Sequence, residues 1–169
     1  TWTHYAALGT DTWTLSTNYS YSPTHAFYCS VPASRKDDYL LTRSILVPAD
    51  GLLTFWHPYQ LESRQDGAVL EISTDGGQSW SDLGSLITSG GYTNSITIRS
   101  GSPLAGRMAW TGGTIGVWSQ VTADLSSYAG QDVTLRFRLG SRRSKSRPGW
   151  YIDDVQVRGP VTVPSPHAP

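Results

Sequence analysis

The sequence predicts an all-β fold, and three features support this prediction. The 169 residues include seven tryptophans, nine tyrosines, 17 glycines and ten prolines, a composition that favours strands joined by tight turns. Short apolar segments recur between turn residues, and one of them, residues 133–139, alternates strictly. No segment of useful length has the period of about 3.6 residues that marks an amphipathic helix. Many short strands with turns between them are typical of a two-sheet antiparallel jelly-roll β-sandwich.

Residues 133–139 form the clearest predicted strand. Val133 and every second residue after it are apolar, whereas Thr134, Arg136 and Arg138 occupy the positions between them. Side chains alternate between the two faces of a strand, so this pattern gives one buried face and one polar face.

The other elements follow from local turn chemistry. In residues 48–51, Pro48 fixes φ and Gly51 permits a positive φ, and residues 75–77 form a hairpin-type turn. The charged residues 34–38 predict another turn, and residues 124–129 can hold a turn of helix. The remaining predicted strands are residues 2–5, 13–16, 26–29, 39–47, 52–57, 67–74, 80–83 and 149–157, with short apolar pieces at 96–98 and 108–110. The loop-rich stretch 84–113 is the kind of region that often carries a binding surface.

Composition also limits partners and domain organisation. The formal net charge is zero, which argues against nucleic acid as a partner, and no apolar run is long enough to predict membrane insertion. The single cysteine, Cys29, cannot form an internal disulfide and is expected to be a small buried apolar residue. We expect one jelly-roll module over residues 1–159 and a proline-rich linker or tail over residues 160–169, as in a module of a longer chain.

Two adjacent acids, Asp153 and Asp154, lie within an apolar, β-favouring run at residues 149–157. In a strand, at least one of them must point toward a packed face. A buried carboxylate needs a partner, because burial of an isolated charge is costly. That partner can be a cation, an arginine or a set of backbone donors.

Two further groups of polar residues are candidates for chemistry or binding. His57, Glu62 and Asp66 could supply metal or acid/base chemistry, although a hydrogen-bonded hairpin end is the favoured interpretation. Arg142 opens a basic loop, residues 142–147, which is either solvated or a contact for an acidic glycan or protein. No nucleophile elbow, phosphate loop or dinucleotide fingerprint is present, so catalysis is not expected.

A local pattern at Ser73, Asp75, Gly77 and Trp80 matches an Asp-box. Its aspartate accepts N–H bonds within a tight turn, and a single copy predicts a turn and no enzymatic activity.

Aromatic residues are the remaining functional candidates, because tryptophan and tyrosine stack on sugar rings but equally fill β-sandwich cores. Trp80, Trp110 and Trp150 are expected in the core. The candidates for ligand contact are Trp118, Tyr92, Trp56, Trp13 and Tyr21.

Four segments, residues 66–80, 103–110, 125–138 and 149–155, resemble jelly-roll accessory modules of bacterial extracellular proteins. Such modules are similar to MAM domains, to the cleaved-adhesin domains of secreted cysteine proteases and to the C-terminal modules of immune-inhibitor-A-like metalloproteases. The resemblance covers roughly residues 38–157. It implies a non-catalytic, extracellular, two-sheet jelly roll that often carries structural calcium.

The implied calcium site falls on Asp153 and Asp154. Calcium takes about six to eight oxygen ligands, so Asp11 and Asp38, each near an early strand, are candidates to complete it. The alternative is pairing of these acids with Arg136, Arg138 or Arg142. If calcium is the partner, added calcium should raise the melting temperature.

The preferred interpretation is a secreted or cell-surface binding or adhesion module of a larger multidomain protein, recognising a glycan or a protein surface. One alternative is a carbohydrate-binding module of a glycoside hydrolase. Another is a purely structural spacer or folding cap of a secreted protease. A hydrolase centred on His57 is the third and least favoured class.

Overall fold

A computed structural model describes residues 1–160, which form an antiparallel β-sandwich. The predicted linker lies outside the described residues except for Pro160, so the boundary at residue 159 stays a prediction. No helix in the described part of the chain is long and apolar enough to cross a bilayer. The strands are β1 (Thr3–Leu8), β2 (Trp13–Ser16), β3 (Ala26–Val31), β4 (Lys36–Leu41), β5 (Ile45–Leu46), β6 (Leu52–His57), β7 (Tyr59–Gln60), β8 (Gly67–Ser73), β9 (Ser81–Asp82), β10 (Ile87–Ser89), β11 (Asn94–Ser95), β12 (Met108–Ala109), β13 (Ser119–Asp124), β14 (Asp132–Ser141) and β15 (Arg147–Arg158).

Two large sheets form the layers of the sandwich. The first sheet has the strand order β1-β4-β14-β8-β9, with β5 pairing β14. The second sheet has the order β10-β13-β6-β15-β3-β2, with β7 pairing β15. A small ribbon, β11-β12, completes the described strands, and single-turn 3-10 helices lie at Gly84–Leu86 and Ser126–Tyr128. The predicted jelly-roll-type sandwich is confirmed.

The core lies between the inner faces of the two sheets. Strand β14 contributes Val133, Leu135, Phe137 and Leu139, the apolar half of its alternating pattern. Trp110 and Trp150 are fully buried there, as expected, and so is Cys29. Trp80 is different: it is partly exposed on the outer side of the first sheet, where the guanidinium carbon of Arg136 lies 4.1 Å from its ring centroid.

The outer face of the first sheet is covered by the chain itself. A second apolar cluster forms there from Val69 on β8 together with Ile96, Leu104 and Ala109 from the loop-rich stretch 84–113. Part of the stretch expected to carry a binding surface therefore covers Val69 on the first sheet, whereas residues 87–89 within it form β10 of the second sheet.

Residues 34–38 are the clearest difference between sequence and structure. Lys36, Asp37 and Asp38 were expected in a charged turn but lie in β4 and are buried. The burial is possible because the charges are paired: Lys36 with Asp38 at 3.0 Å, and Asp37 with Arg138 at 2.8 Å.

The Asp-box forms the predicted turn. The Oδ1 atom of Asp75 accepts hydrogen bonds from the backbone N–H groups of Gln78 at 3.1 Å and Ser79 at 2.9 Å. The Trp80 indole N–H donates to the Gly77 carbonyl at 3.2 Å. Hydrogen bonds from Ser79 and Ser73 lower the pKa of Asp75 to about 2.

Candidate functional site

Strand alternation places aromatic side chains on the outer face of the second sheet. On β6, Phe55 and His57 point inward and Trp56 points outward. On β15, Trp150 and Ile152 are buried and Tyr151 between them is partly exposed.

The same alternation holds in the next strand. On β3, Cys29 is buried while Tyr28 faces outward, directly opposite Tyr151 in the β3-β15 register. The twofold alternation of a strand therefore accounts for three outward aromatics, one on each of three adjacent strands.

Loop residues extend these three side chains into one aromatic surface. We define the aromatic surface as Tyr19, Tyr21, Tyr28, Trp56, Trp118 and Tyr151. Tyr21 stacks on Trp56 with ring centroids 4.0 Å apart, and Tyr28 stacks on Tyr151 at 4.2 Å. Tyr19 lies 4.9 Å from Tyr151 and 5.2 Å from Trp118, and Trp118 lies 5.9 Å from Tyr21, so these contacts connect the two stacks.

The aromatic surface remains open to solvent and has polar neighbours. Tyr21 is 45% exposed, and the other five members are partly exposed. Gln120 is exposed and lies opposite Trp56 in the β13-β6 register. A separate groove of about 270 Å³ is lined in part by Pro58, Val117 and Ser119, and the latter two residues flank Trp118 in the sequence.

Asp153 anchors the loop that carries Tyr21. Its Oδ2 atom accepts hydrogen bonds from the backbone N–H groups of Tyr21 at 2.8 Å and Ser22 at 3.0 Å. Its Oδ1 atom accepts the N–H of Asp154 at 2.7 Å, and the Ser22 hydroxyl donates to Asp154 Oδ1 at 2.7 Å.

The backbone at Asp154 is part of this arrangement. Asp154 has φ +50° and lies where the β15-β6 register shifts between Asp153 and Gln156. A positive φ is uncommon for a residue with a side chain. Here the carboxylates of Asp153 and Asp154 both bind Ser22 in the loop that carries Tyr21. The partner of Asp153 is thus a set of backbone donors, one of the three possibilities that the sequence left open.

The predicted calcium ligands are not brought together. Asp11 pairs with His4 at 2.6 Å and accepts the Trp13 N–H at 3.0 Å, whereas Asp38 contacts the Lys36 ammonium. Within residues 1–160, no three His, Cys, Asp or Glu side chains are grouped so that they could hold a metal ion. Asp153, Asp154, Asp11 and Asp38 therefore do not fit the implied site as one ligand set, and calcium stays a prediction.

The three arginines considered as partners of Asp153 and Asp154 are paired with other acids. Arg136 pairs with Glu71 at 2.9 Å, and Arg138 pairs with Asp37 at 2.8 Å. Arg142 pairs with Glu62, its Nε lying 3.1 Å from Oε2. The predicted pairing of Asp153 or Asp154 with one of these arginines was wrong, because each guanidinium group binds a different carboxylate.

His57 lies apart from Glu62 and Asp66, both of which bind Arg142. His57 is fully buried, and its Nδ1 accepts the Trp150 indole N–H at 3.1 Å. Burial lowers the pKa of His57 to about 3, so the ring is neutral at pH 7. Asp66 accepts the backbone N–H of Arg142 at 2.9 Å, and burial raises its pKa to about 6. The prediction of His57 as a possible polar contact for a ligand was therefore wrong, because its side chain is buried.

Two of the five aromatic candidates lie elsewhere. Trp13 is only 4% exposed and packs against Trp150 in the core. Tyr92 packs on Trp110, accepts the Leu70 N–H at 3.0 Å and donates to Asp82 at 2.6 Å. Burial raises the pKa of Tyr92. The prediction for Trp13 was wrong, because local sequence does not show its long-range partner Trp150. Tyr92 lies apart from the aromatic surface and lines a groove with Asp82 and Met108, and its ligand contact stays a prediction.

Trp56, Trp118 and Tyr21 do lie together in the aromatic surface, and their ligand contact stays a prediction. Sequence reasoning missed Tyr28 and Tyr151. Strict alternation with the buried Cys29 and Trp150 was a signal that could have found them. Tyr19 lies in a loop, where no periodicity indicates its direction.

Comparisons with known proteins support the fold. No family model matches the chain. The chain is 30% identical to Hemagglutinin A of Porphyromonas gingivalis over 125 residues, which is 73% of this chain and only 4% of that protein. The chain thus spans a very small part of the length of this curated relative.

Two solved structures have the same architecture. The K1 cleaved adhesin domain of Lys-gingipain from Porphyromonas gingivalis W83 has a TM-score of 0.57 and 23% identity, covering 95% of this chain and 91% of that one. TmCBM61, solved in complex with β-1,4-galactotriose, has a TM-score of 0.56 and 12% identity, covering 93% and 87%. The predicted resemblance to jelly-roll accessory modules is confirmed at the level of the fold.

Proposed function

We propose that this chain is a non-catalytic binding module that recognises a glycan through the aromatic surface. The observation that carries the proposal is the contiguous set of six aromatic side chains on the outer face of the second sheet. Contiguous exposed apolar patches on a protein surface often mark an interaction site.

The chemistry of the aromatic surface suits a sugar. Tyrosine and tryptophan offer apolar ring faces for the C–H face of a pyranose, together with hydroxyl and indole N–H groups at their rims. One face of Trp56 is covered by Tyr21, which is itself the most exposed ring of the set, and Trp118 is partly exposed. Gln120 provides an amide beside them for a sugar hydroxyl.

The comparisons are consistent with this class. TmCBM61 is described with a galactotriose, which supports a glycan ligand, whereas the cleaved adhesin domain and Hemagglutinin A leave room for a protein ligand. The interior position of neutral His57 and the pairing of Glu62 with Arg142 speak against the hydrolase alternative. We further propose that the module belongs to a larger secreted or cell-surface protein, because the Hemagglutinin A match covers so little of that relative.

The test is a glycan array followed by pull-down on insoluble polysaccharides, with β-1,4-galactotriose among the soluble probes. We expect the unaltered module to bind at least one glycan, and Trp118→Ala and Tyr21→Ala each to weaken that binding by about tenfold or more. The matched control is Tyr5→Ala, because Tyr5 is 48% exposed but lies on the first sheet and stacks edge-on with Tyr39.

Other results would favour other functions. Binding to a protein but to no glycan, still sensitive to Trp118→Ala, would indicate a protein-docking module. No binding at all, with impaired secretion of the parent protein after deletion of the module, would indicate a structural spacer. Turnover of a substrate that is lost in His57→Ala would contradict the non-catalytic assignment.

A further inference from the structure

Basic side chains from two loops collect at one end of the sandwich. The basic loop leads from β14 into β15, and residues 32–35 join β3 to β4. The two loops are in contact, because the Ser144 N–H donates to the Ala33 carbonyl oxygen at 3.2 Å. The Ser141 hydroxyl also donates to the Ser34 carbonyl oxygen at 3.2 Å. We define the basic patch as Arg35, Arg143, Lys145 and Arg147.

The basic patch has no acidic partner among the residues that the structure describes. Within residues 1–160, none of its four members forms an ion pair, and three of them are exposed while Arg147 is partly exposed. By contrast, four other arginines each bind a carboxylate: Arg107, Arg136, Arg138 and Arg142. The charges of the basic patch are therefore free to contact a ligand.

The two acids at this end of the sandwich are already bound. Arg142 holds both of them, since its Nε lies 3.1 Å from Glu62 Oε2 and its backbone N–H donates to Asp66 Oδ1 at 2.9 Å. The hydrogen bond from Arg142 is the main cause that lowers the pKa of Glu62, and the charge of Arg147 adds a smaller effect. Arg147 thus lies near this paired group without an ion pair of its own, and positive charge remains in excess.

The basic patch adjoins the aromatic surface. The Tyr28 hydroxyl donates to the Pro148 carbonyl oxygen at 2.5 Å, and Pro148 directly follows Arg147 in the chain. Arg147 and Tyr151 lie four residues apart on β15, which is at most about 13 Å along a strand. A ligand that contacts both is longer than one sugar ring, as an oligosaccharide is.

The charge of the basic patch selects among possible sugars. Unpaired like charges that lie close together repel one another and attract anions from solution. The formal net charge of the chain is zero, so this attraction is local to one end of the molecule. Arginine presents a planar fork of N–H donors that matches two oxygens of a carboxylate or of a similar oxyanion.

We propose that the aromatic surface and the basic patch together bind an acidic glycan. Its sugar rings contact the aromatic side chains, and its carboxylate or sulfate groups contact the basic patch. This inference rests on the proposed function, because the aromatic surface must bind sugar for the basic patch to select among sugars. It adds the chemical class of the ligand, which the aromatic rings alone do not define.

The experiment compares polysaccharides that share a backbone and differ in charge. Polygalacturonate and its methyl ester test the carboxylate, and dextran sulfate and dextran test the sulfate. Binding is measured by calorimetry. In at least one pair, the acidic member should bind about tenfold or more tightly than the neutral member at about 50 mM salt. The difference should shrink at about 300 mM salt, because salt screens exposed charges.

A matched pair of double variants locates the acidic group. Arg143→Gln/Arg147→Gln should weaken binding of the acidic polysaccharide by about tenfold and leave binding of a neutral glycan unchanged. Arg43→Gln/Arg158→Gln removes two exposed arginines at the opposite ends of β4 and β15 and should leave both unchanged. Trp118→Ala should weaken binding of acidic and neutral glycans alike. The melting temperatures of all variants check that they are folded.

Failure of this inference differs from failure of the proposed function. Equal binding of charged and neutral members that is lost in Trp118→Ala would retain the glycan-binding function and overturn the acidic preference. No binding to any of the four polysaccharides would overturn the acidic preference, and the glycan array then decides the proposed function separately.

Two further outcomes concern charge without sugar recognition. Polyglutamate and a single-stranded DNA oligonucleotide serve as acidic probes that are not glycans. Binding of either one as tightly as the acidic polysaccharide would overturn the inference, because charge alone would then suffice. An acidic preference that persists in Arg143→Gln/Arg147→Gln, or that is insensitive to Trp118→Ala, would also overturn it.

Discussion

The outer faces of the two sheets differ in the contacts that their side chains make: ion pairs on the first sheet and aromatic stacking on the second. On the first sheet, Glu71 lies among three arginines: Arg136 at 2.9 Å, Arg107 at 3.1 Å and Arg138 at 3.4 Å. The loop stretch 84–113 covers part of this face. The charges of the first sheet are thus directed at one another.

On the second sheet, the aromatic rings contact one another and also remain partly exposed. Their edges and faces have neighbours within the aromatic surface, but Tyr21 still offers nearly half of its area to solvent. Side chains that are paired with one another offer fewer free groups to a ligand than rings that remain partly exposed. Under the proposed function, the first face carries charges that are paired with one another, and the second face carries the rings that would contact a ligand.

The largest expected change in stability follows from removing Glu71, at the centre of the ion pairs on the first sheet. Glu71→Ala leaves Arg136 without its buried partner and weakens two further ion pairs, so we expect it to lower the free energy of unfolding by about 3 to 5 kcal/mol. Urea unfolding measures the change, and glycan binding by the folded fraction should be unaltered. Asp82→Ala, which removes a more exposed partner of Arg107, should cost much less. Loss of binding in folded Glu71→Ala would contradict the division between the two faces.

Acid should lower the free energy of unfolding, because His57, which is buried beneath the aromatic surface, is neutral in the folded protein. The pKa of His57 is about 3 in the folded protein and about 6.5 when unfolded, so the unfolded state binds the proton more readily. The contribution of neutral His57 to the free energy of unfolding is present above pH 6.5 and is lost as the pH falls toward 3. The loss is about 3 kcal/mol between pH 6.5 and 4. Urea unfolding at several pH values measures this slope.

The matched variant for this effect is His57→Gln, which does not titrate and should show a flatter dependence. Asp66 acts in the opposite sense: its pKa is raised to about 6, so its stabilising contribution is present at low pH and is lost as the pH rises through 6. Asp66→Asn should therefore steepen the loss of stability on acidification. An unchanged slope in His57→Gln would contradict the neutral, buried histidine.

A smaller effect connects Asp153 to the aromatic surface. Asp153→Ala leaves the N–H groups of Tyr21 and Ser22 without their acceptor, and we expect a loss of about 2 kcal/mol in the free energy of unfolding. Because Tyr21 would no longer be held on Trp56, glycan binding should weaken as well. Amide hydrogen exchange at Tyr21 and Ser22 should accelerate, whereas exchange in β14 changes less.

The control for Asp153 is Asp132→Ala, which removes an exposed aspartate at the start of β14. It should alter neither exchange at Tyr21 nor binding. If Asp153→Ala destabilised the module while Tyr21 and Ser22 exchanged as before, Asp153 would not be the anchor of this loop.

Much of the fold could be predicted from local patterns. The alternation in β14 and the proline and glycine of residues 48–51 act over a few residues, so sequence alone placed strands β6 and β14 correctly. The Asp-box turn is equally local, since Asp75 bonds to residues three and four positions away.

The candidate site could be predicted only in part. Trp56, Trp118 and Tyr21 were named, but Trp13 was named with them although it lies in the core, and Tyr28 and Tyr151 were overlooked. Whether an aromatic ring is exposed depends on which strand lies beside it, and for Tyr21 that partner is Trp56, far along the chain. Lys36 shows the same limit of local sequence. Its charged neighbours predicted a turn, but it lies in a buried strand, where Asp38 and Ser30 bind its ammonium group.

The sequence by itself determined the class of fold, most strand positions and the need of the pair at 153–154 for a partner, because alternation, turn chemistry and the cost of burying charge are local properties. Only the tertiary structure decided that the partner of Asp153 is the backbone of Tyr21 and Ser22, that Lys36 faces Asp38, and that the aromatic rings meet on one face. Those outcomes depend on the pairing of strands that are distant in the chain, for which local sequence carries no direct signal.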